Sequence, residues 1–307
     1  MTEAASSLTT PIQTGSTFTK TVHKKAYPAI FASRPELSQT GRTVLITGGS
    51  AGIGFGIARG FAEAGAKRII VLGRRQSLVE QAVSKLQAEY PAVEILGRQC
   101  DVDDLESTEK LWTGFEGDDI VIDVLVLNAA KISTNSPILT LGRDEVWSQF
   151  TMNVRSLLDF TERFYKQKGG KDRAKSLVNV STAAIHDFHI SAPWPAYVAT
   201  KNAGTLLTQM IARDTPAEEM QMISFHPGAV YTEGAANAGV AEDQWPYDDV
   251  NLAGNFAIWA ASEEARFLHG RFVWASWDID ELRTGELGDK IQKNDHYLNV
   301  GIVGLQE

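Results

Sequence analysis

From Thr43 onward the apolar residues arrive in two alternating rhythms. Val44-Leu45-Ile46 is a short unbroken run that stops at glycines, the signature of a buried strand. Residues 53–65 place Ile57, Ala58, Phe61 and Ala62 at helical spacing. Ile69-Ile70-Val71-Leu72 predicts a second buried strand. Ser77 then opens a helix with Glu80 as its capping-box partner, and Leu78, Val79, Ala82, Val83 and Leu86 form the apolar face. Further strands are predicted at 95–100, 122–128, 176–181, 221–226 and 271–276, with helices near 103–115, 144–167, 196–213 and 251–261. Strands without a polar face, alternating with amphipathic helices, imply a parallel sheet covered on both sides: an α/β, doubly wound single domain. Such sheets bind ligands beyond the carboxyl ends of their strands, so chemistry is expected there.

The N-terminal stretch is different. Residues 1–22 are rich in Ser and Thr and show no period, which predicts a mobile arm. Residues 23–40 carry Tyr27, Pro28, Ile30, Phe31 and Pro35, which suggests a docked segment. The reading divides the chain into an N-terminal arm, 1–40, whose first part is disordered, and a catalytic domain, 41–307, with a C-terminal extension.

Charge narrows the partners. The formal net charge of −9, with no basic cluster, disfavours nucleic acid and anionic membranes. Cys100 is the only cysteine, so no internal disulfide forms. The first twenty residues lack the basic and apolar regions of a secretory signal, and no apolar run is long enough to span a bilayer. A cytoplasmic location and no metal are the expectations.

The first strand leads into Thr47-Gly48-Gly49-Ser50-Ala51-Gly52-Ile53-Gly54 and then a helix. Glycines let the backbone approach a pyrophosphate closely, and the helix N-terminus offers free N–H groups. The expected contacts are Gly48, Ser50, Gly52, Ile53 and Gly54; a glycine turn that merely connects strand to helix is the alternative. The second strand ends Leu72-Gly73-Arg74-Arg75. A carboxylate there would take the ribose 2′-hydroxyl of NAD. Its absence, with Arg74 or Arg75 able to fork onto a 2′-phosphate, favours NADP(H).

An ordered set then appears: TGGSAGIG, Asp101-Val102, Asn128-Ala129-Ala130, Asn153, Ser181-Thr182, Tyr197 with Lys201, and Pro227-Gly228 with Thr232. With it the chain resembles the short-chain dehydrogenases/reductases, a Rossmann-type family, from about Thr43 to Thr232. HPGAVYTEG and WASWDIDEL are similar to a branch common in filamentous fungi, which suggests secondary metabolism. The resemblance implies that Asp101 contacts the adenine amino group and that Val102 lines its pocket. It sets Asn128, Ala129 and Ala130 beside the nicotinamide-side ribose, where the family more often has glycine at the position of Ala130. Val230 and Thr232 would hold the carboxamide, in a loop shaped by Pro227-Gly228.

Tyr197 and Lys201 are four residues apart, hence one turn apart on one helix face. A phenol is a poor proton relay at neutral pH, and a neighbouring ammonium lowers its pKa. Tyr197 is therefore expected to protonate a carbonyl oxygen as hydride arrives, with Lys201 also binding the ribose. A strand-end hydroxyl would orient that oxygen. Order and spacing favour Thr182 over Ser181, and only one can face the site. Asn153 would hold the water or helix kink linked to Lys201. His226 reads as a packed strand-end histidine.

The expected function is hydride transfer between NADP(H) and a small-molecule carbonyl or alcohol. Phe188, Trp194 and Tyr231 suggest an apolar or aromatic substrate. The alternative is a Rossmann protein that binds NADP(H) for a cyclase, isomerase or regulatory role. Val146, Phe150, Val154, Leu157, Leu158 and Phe164 give the 144–167 helix more apolar surface than one sheet face needs. In the resembling family the corresponding helices pair across a two-fold axis, which implies a homodimer or homotetramer.

Overall fold

The computed structural model describes residues 18–170, 173–187, 194–232, 241–243 and 246–302. Seven strands form one sheet: β1 (Thr43–Ile46), β2 (Arg68–Gly73), β3 (Glu94–Gln99), β4 (Val124–Leu127), β5 (Lys175–Val180), β6 (Met220–His226) and β7 (Arg271–Trp274). All pairings are parallel, in the order β3-β2-β1-β4-β5-β6-β7. The order reverses between β1 and β4, which opens a crevice at their carboxyl ends.

The helices, in chain order, are α1 (Gly52–Glu63), α2 (Gln76–Glu89), α3 (Leu105–Gly117), α4 (Ile138–Leu141), α5 (Arg143–Phe150), α6 (Ser156–Lys166), α7 (Pro195–Asp214), α8 (Val250–Ala260), α9 (Ile279–Arg283) and α10 (Gly285–Lys293). Residues of β1 alternate between two cores. Val44 and Ile46 pack with α1, α2 and α8, and Leu45 packs with α3 and α6, so the sheet is buried on both faces. Helices α1 and α8 approach closely because both carry glycine at the crossing. A Cβ at Gly254 would come within 2.7 Å of the Gly56 carbonyl, and one at Gly56 within 2.5 Å of Val250.

The sequence expectations need correction in three places. The Ser77–Glu80 capping box does not form: α2 starts at Gln76 without a side-chain cap, and Glu80 accepts from the Gln76 amide at 2.8 Å instead. The helix expected at 144–167 is interrupted by a π-helical turn, Thr151–Arg155. Residues 18–22, read as part of a mobile arm, are docked. Phe18 stacks on Trp277 with ring centroids 4.3 Å apart, and the Lys20 and Thr21 N–H groups donate to the Glu281 carboxylate. Ile30 and Leu37 lie in the same core as α1 and α8, so residues 18–40 belong to the domain. No helix among the described residues is long and apolar enough to cross a membrane.

Candidate active site

A cleft of about 680 Å³ opens at the carboxyl ends of the central strands. Its floor is the β1–α1 turn. Gly48 and Gly52 have φ of +63° and +53°, conformations that favour glycine. A Cβ at Gly54 would come within 2.3 Å of the Gly48 carbonyl and 2.5 Å of Asn128 Nδ2. Asn128 braces this turn: its amide donates to the Thr47 and Gly48 carbonyls at 3.0 and 3.1 Å. The Thr47 hydroxyl in turn accepts from the Asn128 and Ala129 N–H groups. Gly48, Ser50, Gly52, Ile53 and Gly54 all line the cleft.

At one end the cleft is walled by Gly73, Arg74, Arg75, Cys100 and Val102. Arg74 and Arg75 are exposed, and neither guanidinium is in an ion pair among the described residues. Asp101 does not line the cleft. Its carboxylate accepts from the Asp103 N–H at 3.2 Å, which shapes the turn into α3. Asn128, Ala129 and Ala130 line the middle.

At the other end stand Ser181, Tyr197, Lys201, Pro227 and Thr232. Tyr197 and Lys201 sit on the first two turns of α7. Lys201 Nζ donates to the Val180 carbonyl at 2.7 Å, which ties the helix to the end of β5. Burial lowers the Lys201 ammonium to about 8 and raises the Tyr197 phenol to about 12. Desolvation is the cause of the Tyr197 shift, and the lowering of the phenol expected from its neighbour is not seen in the protein alone.

The two candidate hydroxyls separate. Ser181 borders the cleft, but its Oγ hydrogen-bonds Thr205 Oγ1, on the buried face of α7, at 2.7 Å. Thr182, half-buried, is not among the lining residues. Its Oγ1 accepts a long 3.4 Å bond from the Ala184 N–H, which leaves its own proton free to donate. Asn153 lies in the π turn, and its side chain links three groups. Its amide donates to the Lys131 carbonyl and Thr200 Oγ1, both at 2.8 Å, and its Oδ1 accepts from the Lys131 N–H at 2.7 Å. Thr200 donates to the Tyr197 carbonyl, so Asn153 connects the segment after β4 to the Tyr197 turn of α7.

Gly228 and Val230 are not among the residues that line the cleft; Thr232 lines it and reaches the glycine turn, its methyl 3.2 Å from where a Gly52 Cβ would stand. Trp194 is 38% exposed just before α7, and Tyr231 packs its ring against Tyr247. Phe188 lies outside the described residues. Cys100, Met152 and Val180 also line the cleft and were not anticipated; nothing local in sequence marks them. His226 packs edge-on against Trp274, as expected of a packed histidine.

A second cavity of about 500 Å³ lies at the opposite ends of the strands. Its cations are already engaged: Arg42 with Gln39, Ser176 and backbone carbonyls, Arg173 with Asp123, and Lys175 with the Tyr165 carbonyl. In the cleft above the glycine turn, by contrast, Arg74 and Arg75 are exposed and in no ion pair among the described residues.

Comparison with known proteins agrees with this geometry. The family model described as short chain dehydrogenase matches residues 42–243. The short chain dehydrogenase/reductase AacuD of Aspergillus aculeatus is 32% identical over 93% of this chain and 96% of its own. A short chain dehydrogenase/reductase of Claviceps purpurea is 35% identical over 93% and 94%. Among solved structures, the NADP-bound 3-oxoacyl (acyl-carrier-protein) reductase of Agrobacterium tumefaciens shares the fold. Its TM-score is 0.67 at 24% identity, over 79% of this chain and 96% of that one. A Rossmann-type parallel sheet, a glycine turn at its switch point and a Tyr–Lys pair facing the same cleft have one consistent reading: the chain belongs to the short chain dehydrogenase family, oxidoreductases that use a nicotinamide cofactor.

Proposed function

We propose that the protein is an NADP(H)-dependent carbonyl reductase or alcohol dehydrogenase for a small apolar or aromatic substrate, working chiefly as a reductase. The observation that carries this reading is the convergence on one cleft of Tyr197 and Lys201 with Arg74 and Arg75, which are in no ion pair among the described residues. The residues fit the cofactor. The glycine turn leaves no room for side chains where a pyrophosphate would lie against backbone, and Arg74 and Arg75 offer free cations for a 2′-phosphate. When bound, the cofactor supplies the hydride.

The chain's own residues supply the rest. Tyr197, held protonated by its surroundings, donates its proton to the nascent alkoxide. Lys201 is fixed by Val180 within reach of the same wall of the cleft, where its positive charge favours the phenolate left behind. Thr182 donates to the substrate oxygen, because the Ser181 hydroxyl is occupied by Thr205. Asn153 keeps the Tyr197 turn in place through Thr200. Trp194 and Tyr231 supply aromatic surface near the site.

The test is oxidation of NADPH, followed by its absorbance, against a panel of ketones and aldehydes. Turnover of at least one carbonyl is the expected result. Binding of NADPH with no turnover of any panel member, nor of alcohols with NADP in reverse, would favour the non-redox alternative.

A further inference from the structure

We propose that Asp248 is a positioning residue that sets the loop over the nicotinamide half of the cleft, an inference that rests on the cofactor reading above. Asp248 lies nineteen residues beyond Ala229 in sequence, yet it is 4% exposed and clasped to Ala229 by two bonds. Its Oδ2 accepts from the Ala229 N–H at 2.8 Å, and its own N–H donates to the Ala229 carbonyl at 2.7 Å. Gly228, at φ +94°, lies directly beneath. A Cβ there would come within 2.6 Å of Asp248 Oδ2, so the carboxylate fills the space a side chain at 228 would take.

The clasp is anchored on a rigid element. The next residue, Asp249, caps α8 by accepting from the Asn251 N–H at 2.8 Å, and α8 packs through Gly254 onto the helix of the glycine turn. Lys24 buttresses it from the N-terminal segment. Lys24 Nζ donates to the Pro246 carbonyl at 3.0 Å, and its carbonyl accepts from the Asp249 N–H at 2.8 Å. The consequence falls on Thr232, three residues beyond Ala229, which lines the cleft across the glycine turn.

Stability alone does not account for this carboxylate. Among the described residues Asp248 Oδ1 is buried with no hydrogen-bond partner, and burial raises the carboxyl's pKa against the pull of Ala229 and Lys24. An apolar residue would avoid that cost, so the arrangement serves the placement of residues 227–232.

The experiment compares binding of NADPH with binding of 2′,5′-ADP, which spans only the adenosine half of the cleft, in the full chain. For Asp248→Ala we expect NADPH affinity to fall about tenfold or more, with 2′,5′-ADP affinity within about twofold of the parent. Asp248→Asn keeps an acceptor for the Ala229 N–H and should recover most of the loss. Should Asp248→Ala fail to fold, Asp248→Ser, too short to reach Ala229, takes its place. Unchanged NADPH affinity, an equal loss for both ligands, or an Asn variant as defective as Ala would overturn the proposal. Failure of the parent chain to bind NADPH would instead bring down the cofactor reading beneath it.

Discussion

At the residue scale the central tension is electrostatic. Lys201 carries its charge in a desolvated site, which lowers its pKa from 10.5 to about 8. The unfolded chain binds the extra proton between those values, so this group makes stability rise with pH from about 8 to 10.5. Lys201→Met should therefore stabilise the protein at pH 7 when no cofactor is added. The gain is bounded by about 3 kcal/mol and reduced by about 1 kcal/mol for the lost bond to Val180. The same variant should lose reductase activity. A melting temperature unchanged or lowered would show that the ammonium is better solvated than its surroundings imply. For turnover, kcat/KM for reduction should fall above about pH 8 as Lys201 deprotonates, and Lys201→Arg should move that limb upward.

Cofactor choice is also a residue-scale matter. Arg74→Ala should cut the preference for NADPH over NADH by roughly one to two orders of magnitude, from the loss of one charge-assisted contact worth about 1.5–3 kcal/mol. Equal efficiency with the two cofactors in the parent chain would show the arginines to be merely solvated. An acidic replacement at Gly73 is not a clean test, because its Cβ would meet Ser50 Oγ at 2.8 Å and Val79 at 2.9 Å. That crowding was invisible in the sequence, which shows only that no carboxylate is there. The glycine turn was legible for the opposite reason: its backbone conformation and close approach demand residue types that the sequence displays directly. Cys100 and Met152 at the cleft, and Asp248 against Gly228 and Ala229, were not, since tertiary packing alone brings them there.

At the scale of elements, the central strands were readable because burial on both faces leaves unbroken apolar runs, Val44–Ile46, Ile69–Leu72 and Val124–Leu127. Helix ends and interruptions were not. Ser77 and Glu80 have the right spacing for a capping box, but the chain enters α2 one residue earlier. The π turn at Thr151–Arg155 has no apolar signature either; it is held by the Asn153 bonds to Lys131 and Thr200. Asn153→Ala should break three hydrogen bonds at a buried position and lower stability by about 2–4 kcal/mol. Turnover should fall with it through the Tyr197 turn, and thermal denaturation with NADPH oxidation checks both. Near-normal activity in a folded variant would reduce Asn153 to a packing residue.

At the scale of the whole molecule, the apolar surplus on the 144–167 segment is smaller than it looked. Leu157 and Phe164 belong to the core under the sheet. Leu158, Trp147 and Tyr165 remain exposed, and Leu206 and Met210 on α7 extend the same kind of surface. We expect a homodimer or larger at micromolar concentration by light scattering, and Leu158→Lys to shift it toward monomer; a monomeric parent would contradict this. Acid should destabilise the fold through His226. Burial lowers its pKa from 6.5 to about 3, so its contribution is complete above pH 6.5 and is lost as the pH falls toward 3. The nearby Trp274 indole donates to His186 Nε2, a bond that protonation of His186 also breaks. The single most direct test of the whole account is Tyr197→Phe, assayed for NADPH oxidation with a carbonyl the parent chain reduces and for NADPH affinity by titration. The account predicts a loss of turnover of about 10²–10⁴-fold with affinity nearly unchanged; turnover close to that of the parent would contradict it.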